Sequence, residues 1–323
     1  MPSSITSRAR PIAAFLDIGT NAIRMMRVRL HANNAYHVLE QRRQAVRLGE
    51  DAFDTQRLRC DAMNRAALLC RQWVKAAHAS GTGEIVAVAT SATRDVLNRR
   101  AFLRLLRAKA GLEVRVLSGE EEARLIYLGV SRNMDLKNRR ALFLDIGGGS
   151  TEIIVGDRQK AHYLAMLNVG AIRLSNQHLK STGEQPVSLP LYQRLQERVR
   201  ARAKKVLQRL RRHPTNLVIG SSGTIMALGN IATRRYLKRR LQCPESVKMT
   251  RLRQVIRQLC SLSLSQRRQV PGLQPDRADI IIGGAAILDT LMEELNVRAI
   301  TISNQSLRDG LVLDYMQRQN ASG

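Results

Sequence analysis

One pattern occurs twice in the sequence and restricts the possible fold more than any other feature. An apolar run ends in an aspartate, passes through a glycine-containing turn and is followed by a second apolar run. It is found at residues 13–30 (AAFLDIGTNAIRMMRVRL) and again at 141–157 (ALFLDIGGGSTEIIVGD). Short apolar runs bounded by turn signals are typical of buried strands. Because Asp17 and Asp145 are about one domain length apart, the repeat predicts two related units.

The rest of the chain alternates between helical and strand-like segments. Helical periodicity is found at 63–80, 102–111, 121–132, 191–212 and 277–295, and strands are predicted at 112–118 and 216–223. Residues 84–95 are predicted to form a buried strand that runs into the start of a helix. Residues 131–140 (SRNMDLKNRR) have the composition of an exposed linker. We therefore expect an N-terminal domain at 1–130 and a C-terminal domain at 131–305. A closing helix at about 306–323 is a candidate to pack back on the first domain.

The second glycine turn has the composition of an anion-binding loop. Gly147, Gly148 and Gly149 have no side chains, so their backbone N–H groups can point at an anion. Ser150 and Thr151 add hydroxyl donors. The turn therefore suits phosphate.

Carboxylates flank the same turn. Asp145 ends the strand before it, and Glu152 lies in the strand after it. Mg²⁺ is usually held by one or two carboxylates together with phosphates and water. A structural glycine hairpin is the alternative for one such turn. The other copy, at 17–21, favours a pair of phosphate-binding turns that face each other across a cleft.

A third glycine element, IGSSGTIMAL at 219–228, follows a predicted strand and opens a helix. Anions bind at helix N-termini in this context. Alone the element is a weak signal, because it lacks both the GxGxxG and the GxxxxGK[ST] spacing.

The formal net charge of +27 indicates a polyanionic partner. Residues 191–268 contain 20 Lys and Arg but only two acidic residues, so the excess is concentrated there. A general bias toward arginine is the alternative explanation. Aromatic residues make up only 3% of the chain, which disfavours a stacking platform for single-stranded nucleic acid.

The cysteines and the N-terminus favour a cytoplasmic protein. Cys60, Cys70, Cys243 and Cys260 form no CxxC pair, so neither a zinc site nor a disulfide framework is expected. The N-terminal apolar run is short and leads directly into the first Asp-Gly turn, unlike a signal peptide. No apolar run reaches the roughly 18 residues of a membrane span.

Six segments carry a closer resemblance. They are ATSATRD (89–95), LSGEEEARLIYLGV (117–130), DIGGGSTE (145–152), VGAIRL (169–174), GSSGTIMAL (220–228) and RADIIIGGAAIL…SLRDGL (277–311). In this order, over about residues 12–316, they resemble the exopolyphosphatase/guanosine pentaphosphate phosphohydrolase family of the actin-like phosphotransferase superfamily. The resemblance implies an α/β protein with two actin-like (ribonuclease H-like) domains. Each would have a mixed sheet flanked by helices, with the active site in the interdomain cleft.

The same resemblance implies hydrolysis of a terminal phosphoanhydride with Mg²⁺, with another divalent cation or an added K⁺ left open. Glu122 would activate water, and Asp145 and Glu152 would complete the catalytic set. Asp145, Glu152 and Asp17 would hold the metal. The implied phosphate-binding residues are Asp17, Gly19, Thr20, Asn21, Arg24, Arg94, Gly147, Gly148, Gly149, Ser150, Arg173, Ser222 and Gly223. A homodimer is expected by analogy, without nucleic-acid or membrane partners.

The leading hypothesis is an exopolyphosphatase acting on inorganic polyphosphate. A pppGpp 5′-phosphohydrolase, a polyphosphate-binding protein without turnover and a kinase that transfers phosphate to ADP stay as alternatives. Two positions depart from the family pattern. Ala22 stands where a small hydroxyl residue is frequent, and Ser306 stands where glycine is usual. Longer members carry an additional C-terminal helical domain, so the resemblance does not by itself imply processivity on long polymers.

Overall fold

The two strand–turn–strand repeats form the centres of two mixed β-sheets. The structure is a computed structural model that describes residues 11–32, 34–132, 134–137, 139–215 and 217–322. Predictions that concern residues 1–10, linker positions 133 and 138, position 216 of a predicted strand and position 323 of the closing helix lie outside the described residues.

The first sheet is built from β1 (Ile12–Ile18), β2 (Ala22–Leu30), β3 (Tyr36–Ala45), β4 (Glu84–Ala89) and β5 (Val114–Val116). The strand order is β3-β2-β1-β4-β5, with β1 antiparallel to β2 and parallel to β4. Every side chain of β1 after Ile12 is buried, because the strand lies in the middle of a sheet that is covered on both faces.

The second sheet repeats this topology. Its strands are β6 (Ala141–Ile146), β7 (Thr151–Gly156), β8 (Ala161–Leu167), β9 (Leu217–Ser221), β10 (Glu245–Lys248) and β11 (Ala299–Ile302). In the order β10-β11-β9-β6-β7-β8, the segment from β8 to β11 corresponds to the whole first sheet. The strand β10 is an additional antiparallel edge strand. The predicted internal repeat is therefore a repeat of topology as well as of sequence.

Helices connect the strands and cover the sheets. They are α1 (Ala52–Thr55), α2 (Cys60–Ala79), α3 (Ser91–Arg94), α4 (Arg99–Ala110), α5 (Gly119–Ser131), α6 (Ala171–His178), α7 (Leu189–Leu210), α8 (Ser222–Leu237), α9 (Met249–Ser261), α10 (Leu264–Arg268), α11 (Ile281–Glu294) and α12 (Leu307–Ser322).

Local signals explain where the elements differ from the predicted ones. The helix predicted at 191–212 begins earlier, because the Ser188 hydroxyl accepts the Leu191 N–H and proline lies in the first turn. The helix predicted at 277–295 begins at Ile281, after a short 3₁₀ turn at Pro275–Arg277. The strand β10 was not predicted, since its four residues are mostly polar.

The helices α5 and α12 join the two halves of the molecule. One apolar cluster contains Phe15 of β1, Leu125 of α5, Leu311 of α12 and Phe143 of β6. Tyr315 of α12 packs edge-to-face on Phe15, with 5.6 Å between ring centroids. The helix α12 thus lies against the first sheet, while the domain limits at 130 and 305 stay predictions. Within the described ranges, no helix is both long and apolar enough to span a bilayer.

Candidate active site

Strand register places the two glycine turns in equivalent positions with different charges. Asp17 in β1 lies opposite Arg24 in β2, and Asp145 in β6 lies opposite Glu152 in β7. The first turn therefore combines a carboxylate with a guanidinium. The second combines two carboxylates.

The two turns are in contact. A Cβ atom added to Gly148 would lie 2.8 Å from the Cβ atom of Thr20, so the second turn can approach the first only because this position is glycine. The Gly147 N–H donates to the Ser150 carbonyl. Within the described residues, no acceptor is found for the N–H groups of Gly148 and Gly149. Backbone donors of this kind form anion-binding nests.

The carboxylates of the two turns differ in their hydrogen-bond partners, and burial raises the pKa of two of them. Asp17 accepts a hydrogen bond from Arg24 Nη1 at 3.2 Å. Asp145 accepts one from the Ser221 hydroxyl at 2.5 Å, and burial raises its pKa to about 6. Glu152 is 1% exposed, and its Oε1 has no hydrogen-bond partner. Burial, then the charges of other carboxylates, raise the pKa of Glu152 well above its ordinary value.

Glu122 lies in the first turn of α5 and points into the site. The Ser118 hydroxyl caps this helix by accepting the Glu121 N–H at 3.1 Å. The Glu122 carboxylate is 7% exposed and accepts a hydrogen bond from Arg94 Nη1 at 2.8 Å. Burial raises the pKa of Glu122, Arg94 lowers it and nearby carboxylates raise it, to about 7. A carboxyl group with that pKa can exchange a proton near neutral pH.

Arginines that the sequence analysis did not select face these carboxylates. Arg277 is 6% exposed, and its guanidinium lies where a side chain on Gly223 would otherwise be. Burial, then Arg24 and Arg43, lower the pKa of Arg277 to about 9. Burial and Arg24 likewise lower the pKa of Arg308. Cations that lower each other's pKa form a site that an anion would stabilise.

These groups line one cleft of 440 Å³. Most of the residues selected from sequence lie on its wall: Asp17, Gly19, Thr20, Asn21, Arg24, Glu122, Asp145, Gly147, Gly148, Gly149, Ser150, Ser222 and Gly223. Ser222, the first residue of α8, has a φ of 92°, which is a strained value for a residue other than glycine.

Three selected residues do not line the cleft. Glu152 is buried on β7, opposite Asp145 of β6. Arg94 binds the Glu122 carboxylate and the Leu117 carbonyl, so it positions Glu122. Arg173 donates to the Gly149 carbonyl at 2.8 Å and pairs with Asp95. Its guanidinium carbon lies 3.9 Å from the Phe53 ring centroid, which accounts for its position outside the cleft.

The missed arginines, Arg277 and Arg308, had a signal in the sequence. Both lie in the stretch RADIIIGGAAIL…SLRDGL that carries the resemblance. The carboxylates and glycines of the other segments suggested a chemical role from their type and spacing. An arginine near a helix start does so only when the fold brings it to the cleft.

The two departures from the family pattern fit the structure without strain. Ala22 is 2% exposed and lines the cleft, where it offers no hydroxyl. Ser306 precedes α12, and its N–H donates to Asp309 Oδ2 at 2.8 Å. It is not among the residues with positive φ, so the backbone there does not require glycine.

The donor set fits a divalent cation. Asp145 and Glu152, which lie opposite each other, would supply oxygen ligands of the kind that Mg²⁺ prefers, and the unpartnered Glu152 Oε1 is a buried acceptor. No three His, Cys, Asp or Glu side chains converge into a metal-binding group within the part of the chain described here. This arrangement suits an ion that takes its other ligands from phosphate and water.

A model of the Ppx/GppA phosphatase family matches residues 27–319. The chain belongs to the Ppx/GppA phosphatase family. Membership makes the chain an enzyme, a phosphatase of the phosphoanhydride hydrolase class. The resemblance found in the sequence segments is thereby confirmed.

Solved structures show the same fold as this Ppx/GppA chain. An exopolyphosphatase from Cytophaga hutchinsonii is 21% identical with a TM-score of 0.89, covering 95% of this chain and 98% of its own. An exopolyphosphatase-like protein is 24% identical with a TM-score of 0.88, covering 96% and 99%. The Aquifex aeolicus Ppx/GppA member is 22% identical with a TM-score of 0.77, covering 96% and 99%. The predicted architecture of two mixed sheets flanked by helices is confirmed.

Proposed function

We propose that this Ppx/GppA phosphatase is an exopolyphosphatase that releases terminal orthophosphate from inorganic polyphosphate. One observation carries the proposal. The Glu122 carboxylate, with a pKa raised to about 7, lies 2.8 Å from Arg94 on the wall of a cleft that also contains two anion-binding turns and a cluster of arginines. A general base and a phosphate-binding site are therefore next to each other.

The residues divide the reaction between them. The backbone of the two turns binds the terminal phosphate, and Arg24, Arg277 and Arg308 neutralise its oxygens. Glu122 takes a proton from water as the water oxygen bonds to phosphorus. The bridging P–O bond breaks, and its electron pair stays with the shortened polymer. General base catalysis of this kind contributes about 10²–10⁴-fold in rate.

A divalent cation would be held by Asp145 and Glu152, with Asp17 facing them from the first turn. When bound, it supplies neutralisation of charge on the phosphate oxygens. It would also offset the repulsion that raises the pKa values of Asp145 and Glu152. The expected homodimer and cytoplasmic location stay predictions.

The lining of the cleft supports the polymer over pppGpp. None of the described residues on its wall is aromatic, so a guanine base would find no ring on which to stack. Arg42 and Arg43 extend the basic wall. The basic segment 191–268 adds a positive electrostatic potential that attracts a long polyanion. This attraction weakens as the salt concentration rises.

The test is orthophosphate release with Mg²⁺ from long-chain polyphosphate and from pppGpp at matched terminal phosphate concentrations. We expect a higher kcat/KM for polyphosphate. A higher value for pppGpp would replace the proposal with a pppGpp 5′-phosphohydrolase. Transfer to ADP in place of release would indicate a kinase. Salt-sensitive polymer binding without release from either substrate would indicate a binding protein.

A further inference from the structure

A second cavity of 330 Å³ adjoins the cleft between the two halves of the molecule. Asn21 and Ile280 line both the cavity and the cleft. The first half contributes Asn21, Arg47 and Glu50, and the second half contributes the remaining wall from α6, the segment 179–187 that follows it, α10 and residues 279–280. A ligand in this cavity would therefore contact both halves and lie beside the first glycine turn.

Four buried polar atoms of this wall have no hydrogen-bond partner. They are Asn21 Nδ2, Ser175 Oγ, Asn176 Nδ2 and Arg267 Nε. Asn21, Ser175 and Arg267 are each more than nine-tenths buried, at 8%, 4% and 3% exposure. An unpartnered buried donor is costly, and native structures contain few of them. Because four such atoms belong to residues of one cavity wall, a ligand that supplies acceptors would stabilise this wall.

Arg267 adds a positive charge to these donors. Its Nη1 donates to the Ala278 carbonyl at 3.1 Å, and no carboxylate pairs with it within the described ranges. Burial lowers its pKa. Arg47, on the same wall, differs because it forms an ion pair with Asp279 at 2.7 Å. A buried guanidinium without a carboxylate partner is stabilised by a bound anion.

The carboxylates of the wall are largely engaged elsewhere. Asp279 is held by Arg47. Glu184 accepts the Ser265 N–H at 2.8 Å and lies 3.6 Å from Arg268. The remaining carboxylate, Glu50, is only half-buried and so faces a weaker field than the buried Arg267.

We propose that this cavity is a second phosphate-binding site, distinct from the catalytic cleft. Its unpartnered atoms are donors, one of them cationic, and they belong to residues that line a space large enough for a tetrahedral oxyanion. The choice of phosphate among oxyanions rests on the proposed function, because hydrolysis in the adjoining cleft releases orthophosphate. The phosphate group comes either from free orthophosphate or from a unit of the polymer beyond the cleft.

Equilibrium dialysis with radiolabelled orthophosphate, in the absence of polymer, tests the first source. Wild type is expected to bind two orthophosphates per chain, one in each site. Ser175→Ala and Asn176→Ala each remove one donor, and each should weaken the second site about tenfold or more. Gln177→Ala is the matched control, because Gln177 is the next residue on α6 and does not line the cavity.

Hydrolysis of tripolyphosphate and of long-chain polyphosphate tests the second source. If a polymer unit occupies the cavity, Ser175→Ala raises KM for the long polymer and leaves KM for tripolyphosphate unchanged. If free orthophosphate occupies it, inhibition of wild type by added orthophosphate has a component that does not compete with substrate. That component is then lost in Ser175→Ala and Asn176→Ala but kept in Gln177→Ala.

The proposal is overturned if wild type binds one orthophosphate and the cavity variants leave KM for both substrates unchanged. It is also overturned if a second site exists but Ser175→Ala and Asn176→Ala do not weaken it. Dialysis requires no turnover, so a chain that fails to hydrolyse polyphosphate but loses the second site in these variants would refute the proposed function alone. Neither variant alters Arg267, so its packing is preserved.

Discussion

The two glycine turns have the same backbone topology and opposite electrostatics. In the first, Asp17 lies opposite Arg24 and the two form an ion pair. In the second, Asp145 lies opposite Glu152, and Glu152 Oε1 has no partner. The residue opposite the aspartate therefore sets the charge of each turn. Arg24 neutralises Asp17 in the first turn, whereas Glu152 adds a second carboxylate to the second turn.

We propose that this difference gives the two turns different tasks. Negative charge without a cationic partner costs stability in the folded protein, because burial disfavours the ionised forms. The first turn avoids this cost and can bind phosphate directly through Arg24. The second is suited to hold a cation that in turn binds phosphate. The carboxylates of the second turn are therefore expected to lower the stability of the metal-free protein while they serve its function.

The largest expected effect compares the two aspartates. Asp145→Asn should lower kcat about a hundredfold and raise the Mg²⁺ concentration needed for half-maximal rate, because it removes a metal-binding carboxylate. Asp17→Asn should have a smaller effect, about tenfold, because Arg24 already engages Asp17. Orthophosphate release during Mg²⁺ titration measures both. An effect of Asp17→Asn equal to that of Asp145→Asn would show that the turns do not differ in this way.

The next effect concerns stability at the matched register position. Glu152→Gln should raise the free energy of unfolding of the metal-free protein at neutral pH by about 1 kcal/mol, because it removes a carboxyl group whose pKa burial raises and whose ionised form is therefore costly in the folded protein. Arg24→Gln should lower it by about 1–3 kcal/mol, because Asp17 loses its partner. Urea denaturation in the presence of a chelator measures the two values. Destabilisation by both variants would contradict the comparison.

A third effect concerns Glu122, which has an arginine partner as Asp17 does. Arg94 lowers the pKa of Glu122, so Arg94→Gln should raise that pKa. Since the deprotonated carboxylate is the active form, the acid limb of the rate profile should move to higher pH, by about one unit. Arg94→Lys keeps a positive charge beside Glu122 and should therefore reverse part of this shift. An unchanged profile would mean that Arg94 does not act through Glu122.

The smallest effect is expected at Arg173, the arginine that follows the second turn. It contacts Gly149, Asp95 and Phe53 and does not line the cleft. Arg173→Gln should therefore change KM for tripolyphosphate by less than about threefold. Arg24→Gln is the control and should raise KM far more. Equal increases would place Arg173 at the substrate.

Local sequence was sufficient for the turns and their acids. A strand that ends in aspartate before bare glycines specifies its own geometry, so Asp17, Asp145 and residues 147–149 could be placed without the fold. The topology could be predicted only in outline, because the order of strands in each sheet depends on long-range pairing. The polar strand β10 carries no apolar alternation that would reveal it.

The contacts of the arginines depend on long-range structure and could not be predicted from local sequence. The resemblance implied phosphate binding for both Arg94 and Arg173. In the structure Arg94 contacts a carboxylate 28 positions away, and Arg173 contacts one 78 positions away. Arg277 was missed because its cleft position depends on the backbone of Gly223. A long flexible side chain takes its role from the partner that the fold supplies.

The most direct test is orthophosphate release from long-chain polyphosphate by Glu122→Gln beside wild type, with polymer binding measured on both. We expect release to fall by at least about a hundredfold while binding is retained, because the variant keeps the shape of the side chain but cannot accept a proton. Undiminished release by Glu122→Gln would contradict the assignment of Glu122 as the base that activates water.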